Sequence, residues 1–304
     1  MDLTRITAQV RSAVGAGFEA GLQQANSRMG SLVSLLAERF NSNTRIQPHS
    51  ATSQLPDLVD ETAVGQALAV DLLATKSYQV TNAAASRGIR VNLDDIDDDL
   101  TGQYGRRARS LGMAANYHFY NKVIQVVNDA FTAGKTGFDG KLLCATDHPR
   151  DLTGSGSGTN SNTASSAALS TDTFNTGVAA MQNFQDAAGR KPWNVALDLV
   201  LLVPPALRKA ALEVATAGLV GGGNTNVNAG FAEVIVSPQL TDADNWFIIN
   251  RANSGKAVLW QVRQNPRLDE DRTKIVSENS LIYRARYRGA VVPWDYTGIY
   301  GAQG

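Results

Sequence analysis

Cys144, Asp147 and His148 fall within five residues, in the segment Phe138-Asp139-Gly140-Lys141-Leu142-Leu143-Cys144-Ala145-Thr146-Asp147-His148-Pro149. A thiolate attacking a carbonyl with a histidine as its base would make this a thiol hydrolase using Cys144 and His148. Adjacency argues against that chemistry, because catalytic Cys and His are brought together by the fold from distant positions. The plainer expectation is that Cys144 is a small apolar residue and that Asp147-His148-Pro149 is a turn with a side chain bonded to the backbone. The chain is therefore not expected to be an enzyme.

Other chemistries have weaker carriers. His49 and His118 are the only further histidines, and no HExxH, paired-Cys or His-Cys cluster exists, so no zinc or other cofactor is predicted. His118 sits beside an apolar helical stripe and reads as a packed, hydrogen-bonded side chain. The run Asp94-Asp95-Ile96-Asp97-Asp98-Asp99 lacks the alternating ligands and central glycine of a calcium loop. It is expected to open the following helix, where acids suit the dipole and cap free amides. Gly221-Gly222-Gly223 is not followed by Lys-Ser/Thr and reads as a hinge or loop tip.

Two arginine groups suggest contacts with other chains. Arg106 and Arg107, with Arg109, lie on a predicted helix and form a solvated face or reach a neighbour's acids. Arg284, Arg286 and Arg288 alternate along a predicted strand, which puts three positive charges on one side. Such a row is best explained by acids across an interface or by an exposed face. With Asp98 and Asp99, these arginines are the candidate subunit-interface residues.

The elements that must position these groups follow from periodicity. Ile6 to Phe40 repeats apolar residues at helical spacing, but glycines at 15, 17, 21 and 30 weaken it by roughly 1 kcal/mol each, so this arm needs a partner surface. Ser77–Val80 and Gly88–Leu93 read as strands flanking a weakly patterned segment, as in a projecting hairpin with too little apolar content to form a core. From Leu100 to Phe131 apolar positions step by three or four, predicting a helix about 48 Å long. Residues 153–170 are nearly all Gly, Ser, Thr, Asn and Ala and read as a flexible exposed loop. A helix is predicted at Asp172–Ala187, a strand at Val195–Val203 and a helix at Ala206–Ala217, followed by strands at Ala232–Val236, Trp246–Asn250, Val258–Val262 and Leu281–Arg288. The class is mixed α+β, without the regular β-α-β alternation of a nucleotide-binding sheet.

Composition sets bounds on function. The 304 residues, 43% of them hydrophobic, suffice for a sizeable core in one domain or two. Lysine and arginine total 28, as do aspartate and glutamate, so no overall field draws in nucleic acid or anionic membrane. A single cysteine excludes an intrachain disulfide, no apolar run is long enough for a membrane span, and a cytosolic product is expected.

Several segments in order resemble the major head (capsid) subunit family of Mu-like tailed bacteriophages and prophages. They are the acidic pair before the long helix, Asp98-Asp99-Leu100-Thr101-Gly102, and the turn Asp139-Gly140-Lys141-Leu142-Leu143 running on to His148-Pro149. Further pieces are Leu202-Val203-Pro204-Pro205, Ala232-Glu233-Val234-Ile235-Val236-Ser237-Pro238 and Trp260-Gln261-Val262-Arg263-Gln264-Asn265-Pro266. The chain departs from the pattern at Leu143-Cys144, where the family has an aromatic residue, and its first 45 residues carry no matching motif.

The resemblance implies the tailed-phage and herpesvirus major capsid fold. It divides the chain into an N-terminal arm (1–48), an extended loop with flanking strands (49–93), a peripheral domain with its spine helix (94–149), an axial domain (150–280) and C-terminal strands returning to the peripheral domain (281–304). It also implies a function without catalysis: self-assembly through pentamers and hexamers into an icosahedral shell around double-stranded DNA, held without sequence specificity. Portal, scaffold or decoration proteins would be its partners, the host cytoplasm its place of assembly and the virion its destination. A nanocompartment of the same fold, enclosing a cargo enzyme, is the alternative.

Overall fold

The structure, a computed structural model, describes residues 3–52, 75–94, 102–153, 158–191, 197–220, 223–253 and 255–304. The N-terminal elements are α1 (Leu3–Leu36), β1 (Ala37–Asn41), β2 (Ile46–Thr52), β3 (Thr75–Thr81), β4 (Ala83–Asn92) and α2 (Gln103–Asn128). The middle of the chain forms β5 (His148–Pro149), β6 (Thr159–Asn160), β7 (Thr163–Ala164), α3 (Thr171–Gln182), β8 (Leu199–Val203) and α4 (Arg208–Ala215). Then come β9 (Leu219–Val220), β10 (Asn224–Thr225), β11 (Ala232–Val236), β12 (Trp246–Asn250), β13 (Val258–Asp271), α5 (Ile275–Glu278), β14 (Ser280–Pro293) and β15 (Ile299–Ala302). Two compact units result, one of residues 1–47, 81–123 and 260–291, the other of 48–80, 124–259 and 292–304.

The first unit packs α1 and the start of α2 on a four-stranded sheet of order β1-β13-β14-β4. Alternation along β14 sends Leu281, Tyr283, Ala285 and Tyr287 inward, where Leu281 and Tyr283 meet Val14 and Ala108, and Ala285 meets Phe18 and Leu111. Glycines set how closely the helices cross. A Cβ on Gly17 would come within 2.6 Å of the Gly105 carbonyl oxygen, and one on Gly21 or Gly112 would strike the backbone of Arg109 or Phe18. The partner surface expected for the arm is thus this chain's own helix, and part of the glycine content is what allows the contact. Beyond Leu36 the arm stops being helical and adds β1 to the sheet.

The second unit is built on a five-stranded sheet of order β11-β8-β12-β15-β7. Strand β8 runs Leu-Val-Leu-Leu-Val with all five residues buried, as a central strand covered on both faces must be. Leu199, Leu201 and Val203 share a core with Phe174, Val178 and Met181 of α3 and Ala211, Val214 and Ala215 of α4. From β8 the chain passes through α4 to β11, which pairs parallel with β8, so this stretch is a single β-α-β crossover. Ser170 and Thr173 form a reciprocal capping box that starts α3.

Three expectations need correction. Strands β3 and β4 do not form a hairpin with each other: β3 pairs with β2, β4 pairs with β14, and 81–87 is mostly strand. The long helix starts at Gln103 rather than Leu100, after Gly102 at φ 65°, and no acid lies in its first turn. Of the acidic run only Asp94 is among the described residues; 95–99 lie outside them. Residues 158–170 are not simply an exposed loop, since they supply β6, β7 and the buried side chains of Asn160 and Asn162.

Candidate functional site

The segment around Cys144 folds as a turn closed by its own polar groups. Gly137 N–H donates to the Lys141 carbonyl, Lys141 N–H donates to Asp139 Oδ1 at 3.0 Å, and Gly140 takes φ 86°, where glycine carries no steric cost. Cys144 N–H donates to the Ala130 carbonyl, and its thiol lies buried beside Gly301, where a Cβ would meet Sγ at 2.6 Å. Burial pushes the Cys144 thiol well above the ordinary thiol range, the opposite of what a nucleophile needs.

The three residues that sequence proximity suggested as a catalytic set point to different places. Asp147 is exposed and pairs with Lys141, which holds its carboxyl below the usual range. His148 is buried, with Nδ1 2.5 Å from Asp139 Oδ2 and Nε2 3.0 Å from Asn162 Oδ1. Its ring lies flat against Tyr296, centroids 4.0 Å apart and 10° from parallel. Both ring nitrogens are engaged, so no nitrogen remains to activate a thiol. Asp147-His148-Pro149 is not the expected turn: His148 and Pro149 form β5, paired with β6, and the His148 ring bonds the side chains of Asp139 and Asn162 rather than the backbone.

Asn162 ties this cluster to the sheet. Its Nδ2 donates to the carbonyls of Leu143 (2.8 Å) and Ile299 (3.1 Å), and its Oδ1 also accepts from Ala145 N–H at 2.9 Å. Asn160 donates to Tyr296 Oη and to the Gln185 carbonyl. Beside them Asp295 accepts from Thr297 N–H and Oγ1, with its carboxylate in the space left by the missing side chain of Gly255. Burial raises the pKa of Asp295, and Asp139 nearby adds to the rise. Sequence reasoning missed Asn160, Asn162 and Tyr296; nothing in a Gly-Ser-Thr-Asn stretch marks which asparagine is buried.

The charged candidates lie elsewhere. Arg106 and Arg107 are exposed on α2, the latter over the Tyr104 ring at 5.7 Å. Arg284 bonds Asp269 at 3.1 Å, so one acid facing the arginine row comes from the neighbouring strand of the same sheet. Asp98 and Asp99 lie outside the described residues. Among the described residues no group of three or more His, Cys, Asp or Glu could hold a metal ion, and no helix is long and apolar enough to cross a membrane. Leu219–Val220 and Asn224–Thr225 pair antiparallel, while Gly221 and Gly222, expected as a hinge or loop tip, lie outside the described residues.

Residues 77–302, most of the chain, match the family described as phage capsid protein. The chain belongs to this family. A curated relative of this phage capsid protein, the Mu-like prophage FluMu major head subunit of Haemophilus influenzae, is 29% identical over 137 residues, 44% of this chain and 41% of the relative. The aligned part spans less than half of either protein. Among solved structures, Mycobacterium phage Patience superposes with TM-score 0.60 at 13% identity, covering 100% of this chain and 88% of that one. The capsid of the native GTA particle gives 0.58 at 12% identity over 89% of each chain, and the bacteriophage JBD30 capsid 0.52 at 15% over 88% and 63%. At these identities the likeness shows the fold, that of tailed-phage capsid proteins, as the sequence resemblance implied.

Proposed function

We propose that this chain is the repeating subunit of a phage head, assembling with copies of itself into an icosahedral shell that encloses double-stranded DNA. The observation that carries this reading is the capsid family match over 77–302 joined to the capsid fold. The cluster around His148 supports it from the chemical side, since both ring nitrogens of His148 are engaged in hydrogen bonds and the Cys144 thiol is buried. The role is binding geometry, with no reaction to catalyse. Many modest contacts around each subunit give a closed shell that is strong only collectively.

In the reading's terms, 1–48 is the arm, 49–93 the extended loop, 94–149 the spine region, 150–280 the axial domain and 281–304 the returning strands. The JBD30 capsid decorated with minor capsid protein trimers, 21% identical with TM-score 0.54, supports a decoration partner of the same kind. Assembly in the host cytoplasm and residence in the virion follow. Sedimentation velocity tests the reading with residues 53–74, between β2 and β3, replaced by a short Gly-Ser link. The variant is expected to stay a folded subunit under conditions where the parent assembles; unchanged particles would remove the extended loop from the assembly mechanism.

A further inference from the structure

The inference rests on the shell reading and concerns how the base of the extended loop is held. Among the described residues β2 and β3 form a sheet of their own, and a two-stranded ladder is marginal in water by itself. It needs a surface to lie on. Along β3, Lys76, Tyr78 and Val80 turn from solvent while Thr75, Ser77, Gln79 and Thr81 are exposed. Strand β2 alternates in the same way, with His49 and Ala51 half-buried and Ile46, Pro48 and Ser50 exposed. One face of the ladder therefore lies on protein.

That surface is a pair of rings. Phe138 is buried on the turn before Asp139, and it meets Trp294 edge to face, with centroids 5.1 Å apart and planes at 69°. Each strand of the ladder brings one ring to this pair. Tyr78 of β3 stands against Phe138 at 5.7 Å and 60°, and His49 of β2 stands against Trp294 at 5.2 Å and 69°. Beside them Lys76 Nζ donates to the Asp139 carbonyl at 3.2 Å. The floor is itself fixed. Asp139 is bonded to the buried His148, the Trp294 backbone N–H donates to the Ala257 carbonyl, and a Cβ on Gly137 would lie 3.3 Å from the Pro293 carbonyl oxygen. Edge-to-face contacts are directional, so the row His49–Trp294–Phe138–Tyr78 fixes the inclination of the ladder where a smooth apolar contact would let it slide. His49, Tyr78 and Trp294 stay half-buried and stand outside the core around β8, so holding the ladder is their main effect.

We propose that His49, Tyr78, Phe138 and Trp294 are positioning residues for assembly: they clamp the β2–β3 ladder so that the extended loop meets a neighbouring copy at one fixed angle. The double variant His49→Ala/Tyr78→Ala removes both rings of the ladder and leaves the Phe138–Trp294 contact in place. Hydrogen–deuterium exchange, at a protein concentration below that of assembly, reads the clamp by itself. Amide protection in β2 and β3 is expected to fall about ten-fold or more, while that in β8 and β12 is unchanged. Tyr78→Phe keeps the ring and should keep the protection. Negative-stain microscopy of the same proteins reads the aim of the loop: irregular or open particles, or none, are expected from the double variant where the parent and Tyr78→Phe give uniform ones. Protection that survives the double variant, or uniform particles of parental size once protection is lost, overturns the proposal. Protection lost equally from β8 and β12, in the double variant and in His49→Ala alone, would make the rings ordinary core and overturn it as well. If the exchange result holds but the parent never forms particles, it is the shell reading that fails.

Discussion

The carboxylate of Asp139 meets Nδ1 of His148 at 2.5 Å, with both side chains almost fully withdrawn from solvent. Asn162 fixes the hydrogen on the other nitrogen. Its Nδ2 faces the Leu143 and Ile299 carbonyls, so its Oδ1 is what faces His148, and Nε2 must donate. Asp139 and His148 are therefore joined through Nδ1 by a hydrogen bond inside the fold. Removing one partner of such a buried pair leaves the other uncompensated. Asp139→Ala is expected to cost about 3–5 kcal/mol in urea unfolding, with Asp139→Asn milder. A loss below about 1 kcal/mol for the alanine variant would show that the pair is not structural.

Cys144 gives the sharpest contrast between the enzyme reading and the structural one. Its thiol is buried and held protonated, so Ellman's reagent should label it only as fast as the protein unfolds. Stoichiometric labelling of the native protein at the rate of a free thiol would reverse that conclusion.

The helix crossing is tested by alanine at three glycines. Gly21→Ala and Gly112→Ala drive a Cβ into the facing backbone and should each cost about 1–3 kcal/mol or more. Gly15→Ala meets nothing within 4 Å and should stabilise by up to about 1 kcal/mol. Thermal melts that rank Gly15 with the other two would rule out a close approach as their reason.

Asp295 imposes a pH dependence of definite sign. Its folded pKa is raised above the unfolded value, so the native state holds the proton longer and stability falls as pH rises from about 4 through the folded pKa. An asparagine carbonyl can still accept from Thr297, so Asp295→Asn should keep the local hydrogen bonds and gain on the wild type across that window. A difference in Tm that stays constant with pH would show that Asp295 is not the group responsible.

What the sequence made legible follows from how each signal arises. Ala232–Val236 and Trp246–Asn250 were readable to the residue because a short apolar run between turn formers has few other fates. The spine helix showed in its period, but its start depended on one glycine taking a positive φ. Pairing partners were not legible: β3 and β4 adjoin in sequence, yet each is satisfied by a distant strand. Asn162 was invisible because its burial is repaid by hydrogen bonds that only the folded chain assembles. The arginine row was visible by alternation alone, while the small residues opposite it required the register.

Negative-stain electron microscopy of the purified, untagged chain is the most direct test of the central claim. The shell reading predicts uniform megadalton shells, tubes or capsomer rings built from this polypeptide alone. A stable monomer or dimer at every protein concentration and salt would contradict self-assembly as its function.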